Sequence, residues 1–351
     1  MELGSNFDLD VNDLYFKPNN IMDYMSGYET VWFDYGRSAI KSIEIPQGRK
    51  ILLPEFICES VVSCFPVDDI VFYKVQADFC IDFEDLFSKI NKNIGTIYVC
   101  HYFGYLQNKE KLQLCKKTAD EYGIIMIEDI TQSLFSVCEV IGDIAVASLR
   151  KWLPTPQGAV LCMRKGDIKG ENLVSIPKIV SSDNASAMGM FLKKLYLNKQ
   201  YDTNRMYRDI FTHCEEQIDQ KNKIYGMSEF AVFLMKCFNT KTIIKRRKEN
   251  AEQLKNYLDC KGIEVRGFSK AECPLVYPIR VADRDKFRKY LIRNNIYCAV
   301  HWPFDGCQPD DRKMARKNAA ELISLPIDQR YGSKEIAYLC EMIDKYEAEL
   351  Q

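Results

Sequence analysis

Between residues 50 and 165 the chain alternates short apolar, β-branched runs with segments whose apolar residues recur at helical spacing. The runs are KILLP (50–54), DIVFYKV (69–75), TIYVCHY (96–102), IIMIEDI (124–130), DIAVAS (143–148) and GAVLCM (158–163). This alternation predicts an α/β fold with a large, mainly parallel sheet covered by helices on both faces. The clearest intervening helix is NKEKLQLCKKTADEYG (108–123), which stops at a glycine. Right-handed crossovers place the carboxyl ends of such strands along one edge, where open sheets bind their ligands. The linker LPTPQG (153–158) is too short for a crossover helix, so DIAVAS and GAVLCM are expected to pair antiparallel. Lys151 then sits at a strand end beside a tight turn.

The pattern weakens over 166–225, where SSDNASAMG (181–189) reads as a loop or lid before the helix-like MFLKKLYLNKQY (190–201). A long helix is predicted from about Ser228 to Asp259. After it, GIEVRGF (262–268), CPLVYPIRV (273–281) and NIYCAV (295–300) read as strands around the helix DRDKFRKYLIRN (283–294), and SKEIAYLCEMIDKYEAEL (333–350) as a closing helix. Two units are expected: a large one over 1–227, with 166–225 a possible lid or insertion, and a smaller C-terminal α/β unit over 228–351.

Composition narrows the function classes. Forty-eight basic residues against 49 acidic ones leave no net basic charge to suggest nucleic acid or an anionic membrane as a partner. The basic run IIKRRKEN (243–250) reads as a solvated helix face. Fourteen cysteines are scattered without a C-x-x-C pair, and the N-terminus MELGSNFDLD has no secretory character, so reduced thiols and a cytoplasmic location are expected. The three histidines, 101, 213 and 301, stand too far apart to suggest zinc, and no metal site is expected. No apolar run approaches the length of a membrane span, about 18 residues.

Three polar clusters fall at predicted strand ends. IIMIEDITQS leaves its strand through Glu128, Asp129 and Gln132; a carboxylate there suits a metal ligand, a structural cap or the partner of a cationic ring nitrogen, and taken alone the cap is favoured. YVCHYFG places His101 in aromatic company, as a packed and hydrogen-bonded residue. DYGRSAI (34–40) puts a glycine, an arginine and a serine at a turn-to-helix junction, where backbone N–H groups suit a phosphate and the serine an N-cap. A phosphate cradle, a strand-end aspartate and a later strand-end lysine, in that order, are what pyridoxal phosphate requires: the lysine amine forms a Schiff base and the aspartate keeps the pyridine nitrogen protonated.

The succession GRSA, LLPEF, HYFG, IEDITQS, GDIAVASLRKWLPTPQGAVL, RRKENAEQL, YPIRVADRDKFRKYL and SLPID resembles the DegT/DnrJ/StrS family of fold-type-I sugar aminotransferases from about residue 35 to the C-terminus. The resemblance implies a pyridoxal-phosphate enzyme that moves an amino group from an amino acid such as glutamate to a nucleotide-linked keto-sugar, working as a homodimer. It implies Asp129 at the pyridinium nitrogen, Gln132 at the ring 3-oxygen, and Ser38, Ala39 and Ser148 at the phosphate. Lys151 falls where the family has its Schiff-base and proton-carrying lysine.

Several positions depart from the family pattern. Ser148 and Lys151 are closer together than usual, with Arg150 and Trp152 in unusual positions that imply a distinctive active-site mouth. Cys58 stands where an aromatic residue would cover the ring. In KIYGMSEF, Ile224 and Gly226 replace an asparagine, which ordinarily reaches the partner subunit's phosphate, and an arginine. His301 lies near the family's sugar-nucleotide-binding positions. Another pyridoxal-phosphate reaction on the same fold, or a catalytically reduced regulatory relative, are the alternative readings.

Overall fold

The computed structural model describes residues 2–136, 139–166, 173–182, 184–219, 223–263, 265–303 and 312–350. In chain order the strands are β1 (Leu3–Gly4), β2 (Tyr28–Phe33), β3 (Lys50–Pro54), β4 (Ile70–Tyr73), β5 (Ile94–Cys100), β6 (Ile125–Asp129), β7 (Ile144–Ser148), β8 (Ala159–Arg164), β9 (Tyr277–Arg280), β10 (Ile296–Tyr297) and β11 (Leu322–Leu325). The large sheet runs β2-β8-β7-β6-β5-β3-β4. Its centre is parallel, from β4 through β3, β5 and β6 to β7. As the short LPTPQG link requires, β8 is antiparallel to β7. The sheet continues beyond β8 to β2, an edge strand absent from the pattern-based reading because YETVWF shows no clean apolar–polar alternation, four of its six residues being only partly buried. Since β2 and β7 both oppose β8, β2 runs with the parallel set and delivers its carboxyl end to the same edge.

Period-two geometry accounts for the continuous apolar runs. Ile51, Leu53, Ile125 and Ile127 enter the core on one face of the sheet, while Leu52 and Met126 enter a second core on the other. Gly104, in HYFG, has φ +109, and a Cβ there would come within 2.3 Å of the Cys273 carbonyl oxygen. Only glycine permits that close approach of the loop after β5 to the chain entering β9.

The expected loop at 181–189 is instead largely helix: Asn184–Leu197 is followed by Asn204–Asp219, and Tyr196 meets Tyr207 with ring centroids 5.7 Å apart. Ser, Asn and Gly lower local helix propensity, but packing of an apolar face decides the outcome. The predicted long helix is two, Glu229–Met235 and Thr240–Cys260, divided where Asn239 caps the second by accepting a hydrogen bond from the Thr242 N–H. In GIEVRGF no described residue is in a strand, residue 264 lying outside the described set. The C-terminal core gathers Leu254, Leu258, Tyr277, Leu291, Ile323 and Ile336, and Leu3 joins it because β1 pairs parallel with β10. No helix among the described residues is long and apolar enough to cross a membrane.

Candidate active site

The carboxyl ends of β6 and β7 and the turn after β2 surround a cavity of about 170 Å³. Asp129, Gln132, Ser148 and Lys151, singled out in the sequence, all line it. Ser38 and Ala39 do not: both are buried inside the helix Gly36–Lys41, which presents Gly36, Arg37 and Ile40 to the cavity instead. The Ala39 N–H is already donated to the Tyr35 carbonyl at 3.2 Å. The residues of the motif that reach the cavity are therefore Gly36, Arg37 and Ile40, with Ser38 and Ala39 behind them. Gly36 lies close to Ser148, since a methyl group added there would be 3.6 Å from the serine Cβ.

Glu128 and Asp129 resolve the alternatives left open at the end of β6. Strand alternation sends them to opposite faces. Glu128 is the structural cap: its Oε1 accepts hydrogen bonds from the N–H groups of Ile141 and Gly142, both at 2.5 Å, and its Oε2 lies 3.1 Å from His101 Nε2. His101 Nδ1 accepts from the Gln107 N–H at 3.2 Å, which makes this histidine the packed residue expected. Glu128→Ala would strand two buried N–H groups and is expected to cost about 3 kcal/mol in a urea unfolding experiment, whatever cofactor is present.

Asp129 faces the cavity. Tyr98 donates its hydroxyl to Oδ2 and the Thr131 N–H donates to Oδ1, both at 2.8 Å. Burial pushes the Asp129 carboxyl above its usual range, against the hydrogen bonds from Thr131 and Tyr98 that hold it down. These donors are neutral, so a cationic group entering the cavity would find a buried acid prepared to pair with it. Gln132 spends its amide oxygen on the Phe103 N–H at 2.8 Å, which leaves its Nε2 as the donor for a ligand. Tyr98 escaped sequence reasoning because its role arises only when β5 and β6 lie side by side, whereas the Thr131 bond is local, spanning two residues.

Lys151 ends a single 3₁₀ turn, Leu149–Lys151, that continues β7. Its side chain is accessible from the cavity while deeply surrounded by protein. That surrounding, then the neighbouring Arg150 guanidinium, lowers its pKa from the ordinary lysine value. Trp152, expected at the active-site mouth, turns the other way. It is fully buried, donates Nε1–H to the Thr131 carbonyl at 2.7 Å and carries the Arg247 guanidinium 4.6 Å above its ring. The tryptophan thus fastens the turn bearing Lys151 to the loop bearing Thr131.

Arg150 and Cys58 also line the cavity, with Cys58 Sγ 3.0 Å from Ser60 Oγ. Glu215, on the helix Asn204–Asp219, pairs with Arg150. Nothing in the weakly patterned segment 166–225 distinguished this glutamate beforehand. Ile224 packs against the core containing Ile57 and Val61, and Gly226 bridges Phe33 and Val180.

A larger cleft of about 550 Å³ opens from the same wall, sharing Ser148, Arg150, Lys151, Glu215 and His301 with the first cavity. Arg247, Arg288, Asp328 and Arg330 also line it. His301 Nδ1 lies 2.8 Å from Ser324 Oγ, and burial followed by the charge of Lys151 depresses its pKa to about 3. With three histidines in the chain, an NMR titration is simple to read. The His301 ring signals are expected to stay those of neutral imidazole from pH 8 down to 5. Since its folded pKa lies below the unfolded one, the unfolded chain binds the extra proton between about pH 6.5 and 3. His301 therefore withdraws stability as pH falls through that window, by at most about 1.4 kcal/mol per pH unit.

Pyridoxal phosphate fits this donor set: a buried acid with no cationic hydrogen-bond partner among the described residues for the ring nitrogen, an amide donor beside it, a hydroxyl and a helix first turn for the phosphate, and an accessible lysine of lowered pKa. No family profile matches the chain. A curated relative from Aneurinibacillus thermoaerophilus, dTDP-3-amino-3,6-dideoxy-alpha-D-galactopyranose transaminase, is 20% identical over 324 residues, 88% of this chain and 81% of the relative. A DegT DnrJ EryC1 StrS aminotransferase from Brucella abortus superposes with TM-score 0.63 at 14% identity, over 93% of this chain and 88% of its own. The PLP form of Spr1654 from Streptococcus pneumoniae, named as a sugar aminotransferase, gives TM-score 0.69 at 13% identity with both chains fully covered. In the order of its motifs, and in its α/β fold over nearly its whole length, this chain resembles the DegT/DnrJ/EryC1/StrS-type sugar aminotransferases.

Proposed function

We propose that this protein is a pyridoxal-phosphate-dependent aminotransferase that passes an amino group from an amino acid, glutamate or a close analogue, to a nucleotide-linked keto-sugar. The observation that carries this reading is that Asp129 and Lys151, on adjacent strand ends, open into one cavity. Bound pyridoxal phosphate supplies an aldehyde for the lysine and an electron sink for the substrate. Asp129 keeps a proton on the ring nitrogen, its carboxylate positioned by Tyr98 and Thr131. Lys151, its amine biased toward neutrality, takes the proton from the substrate α-carbon and returns it on the other side of the transfer. His301, uncharged, walls the site without adding a further cation to Lys151 and its neighbour Arg150. The open cleft beyond Lys151, lined by four arginines (Arg150, Arg247, Arg288 and Arg330) against Glu215 and Asp328, suits an anionic sugar nucleotide.

The same reading has the protein working in the cytoplasm as a homodimer. The exposed apolar side chains Ile176, Ile179 and Val180, beside the Val180–Gly226 bridge, support a face that a second copy covers. Incubating the protein with pyridoxal phosphate, reducing with borohydride and mapping peptides tests the assignment. The adduct is expected on Lys151, and glutamate plus a dTDP-linked keto-sugar is expected to yield the amino-sugar by mass spectrometry. Borohydride labelling elsewhere, with Lys151 unmodified, would sink the proposal.

A further inference from the structure

The phosphate of the cofactor carries close to two negative charges, and a site that takes them out of water must supply positive charge in return. Among the described residues three cationic side chains line the cavity: Arg37, Arg150 and Lys151. Lys151 is committed to the aldehyde, and Arg37 rises from the helix turn that follows β2. Arg150 is one residue from Lys151 and two from Ser148, on the same 3₁₀ turn, so Ser148, Arg150 and Lys151 enter the cavity as one rigid unit. Its guanidinium lies 5.1 Å from the centre of the Tyr35 ring, the residue immediately before Gly36. It is thereby held between the two backbone segments, Tyr35–Arg37 and Ser148–Lys151, that approach each other at Gly36 and Ser148. Its carboxylate partner is Glu215, which is half exposed on a peripheral helix, whereas the arginine is only about one-quarter exposed.

We propose that Arg150 supplies the cationic contact to the phosphate beside Ser148 and the first helix turn, holding Glu215 until the phosphate replaces that carboxylate. The inference rests on the proposed pyridoxal-phosphate chemistry and assigns to Arg150 a role in binding rather than in proton transfer. A planar guanidinium presents paired donors that match phosphate oxygens, and exchanging an exposed carboxylate for a dianion loses little.

The test compares two probes on the cofactor-free full-length chain: pyridoxal phosphate, and pyridoxal, which has the same ring and aldehyde without the phosphate. Binding of each is followed by absorbance. Arg150→Gln is expected to weaken pyridoxal phosphate about 10- to 100-fold while leaving pyridoxal within about twofold. Arg150→Lys should recover part of the loss, and Glu215→Gln should tighten pyridoxal phosphate about two- to fivefold by removing the competing acceptor. Inorganic phosphate should compete with pyridoxal phosphate for the parent protein and much less for Arg150→Gln. Equal weakening of both probes in Arg150→Gln would make Arg150 structural and overturn the inference, as would unchanged binding of pyridoxal phosphate. Failure of the parent protein to bind either probe would instead overturn the proposed function itself.

Discussion

Replacing Lys151 with alanine is expected to reduce amino transfer by about 1,000-fold or more and to abolish borohydride-stable labelling, because the residue serves both as covalent anchor and as proton carrier. Steady-state turnover with glutamate and a dTDP-linked keto-sugar would measure the first effect, and peptide mapping the second. Folding is expected to survive, since Lys151 is accessible from the cavity and anchors no core contact, the packing at this turn being made by Leu149 and Trp152. The stability consequence has a definite sign. The folded pKa of Lys151 lies below its unfolded value, so the unfolded chain binds more protons between the two. The native protein therefore gains stability from this group as pH rises toward 10.5 and loses it as pH falls through the folded pKa. Lys151→Met should flatten that alkaline slope and be somewhat more stable than the parent at neutral pH. It should also let His301 titrate at a higher pH, because the lysine charge is one of the two causes that depress it.

Asp129→Asn is the second large effect. Losing the charge opposite the ring nitrogen is expected to lower amino transfer about 100-fold or more, with much smaller loss in the initial attachment to Lys151. Measured by absorbance and by turnover, the two readouts should separate. In the cofactor-free protein the same change is expected to stabilise. Burial raises the folded pKa of Asp129 above 3.8, so the native state binds the extra proton in that window, and stability falls as pH rises through the folded value. At neutral pH the ionised carboxylate is thus a cost to the empty protein that a neutral carboxamide avoids, and a cationic ligand turns it into a gain. A destabilised Asp129→Asn protein with undiminished turnover would contradict both halves of this account.

Much of the site was legible because strand ends and chemistry coincide in the linear chain. IEDITQS and SLRKW each carry their polar residues immediately after an apolar run, so connection geometry could bring Asp129, Gln132 and Lys151 to one edge, while Ser148 was picked out by the family resemblance. The finer assignments depended on directions that a motif does not record. Glu128 and Asp129 are neighbours with equal chemical claims, and only the strand's facing decides that one caps the Ile141–Gly142 turn while the other meets the cavity. Ser38 and Ala39 lie on the inward-facing side of a short helix whose Gly36, Arg37 and Ile40 reach the cavity instead. Trp152, conspicuous beside the lysine, is spent on Arg247 and Thr131, residues 95 and 21 positions away along the chain.

By itself, the sequence determined the α/β class, the parallel core with its antiparallel turn at LPTPQG, and the lysine and aspartate brought to a common edge, because periodicity and connection length are local properties read off consecutive residues. Tertiary structure alone decided that β2 extends the sheet, that the segment after Ser181 becomes helix, that Glu215 reaches Arg150, and that Tyr98 holds Asp129. Each of these is a contact between residues distant in sequence, or a choice of which face a residue turns inward, and such choices are set by the packing partner rather than by the residue's own neighbours.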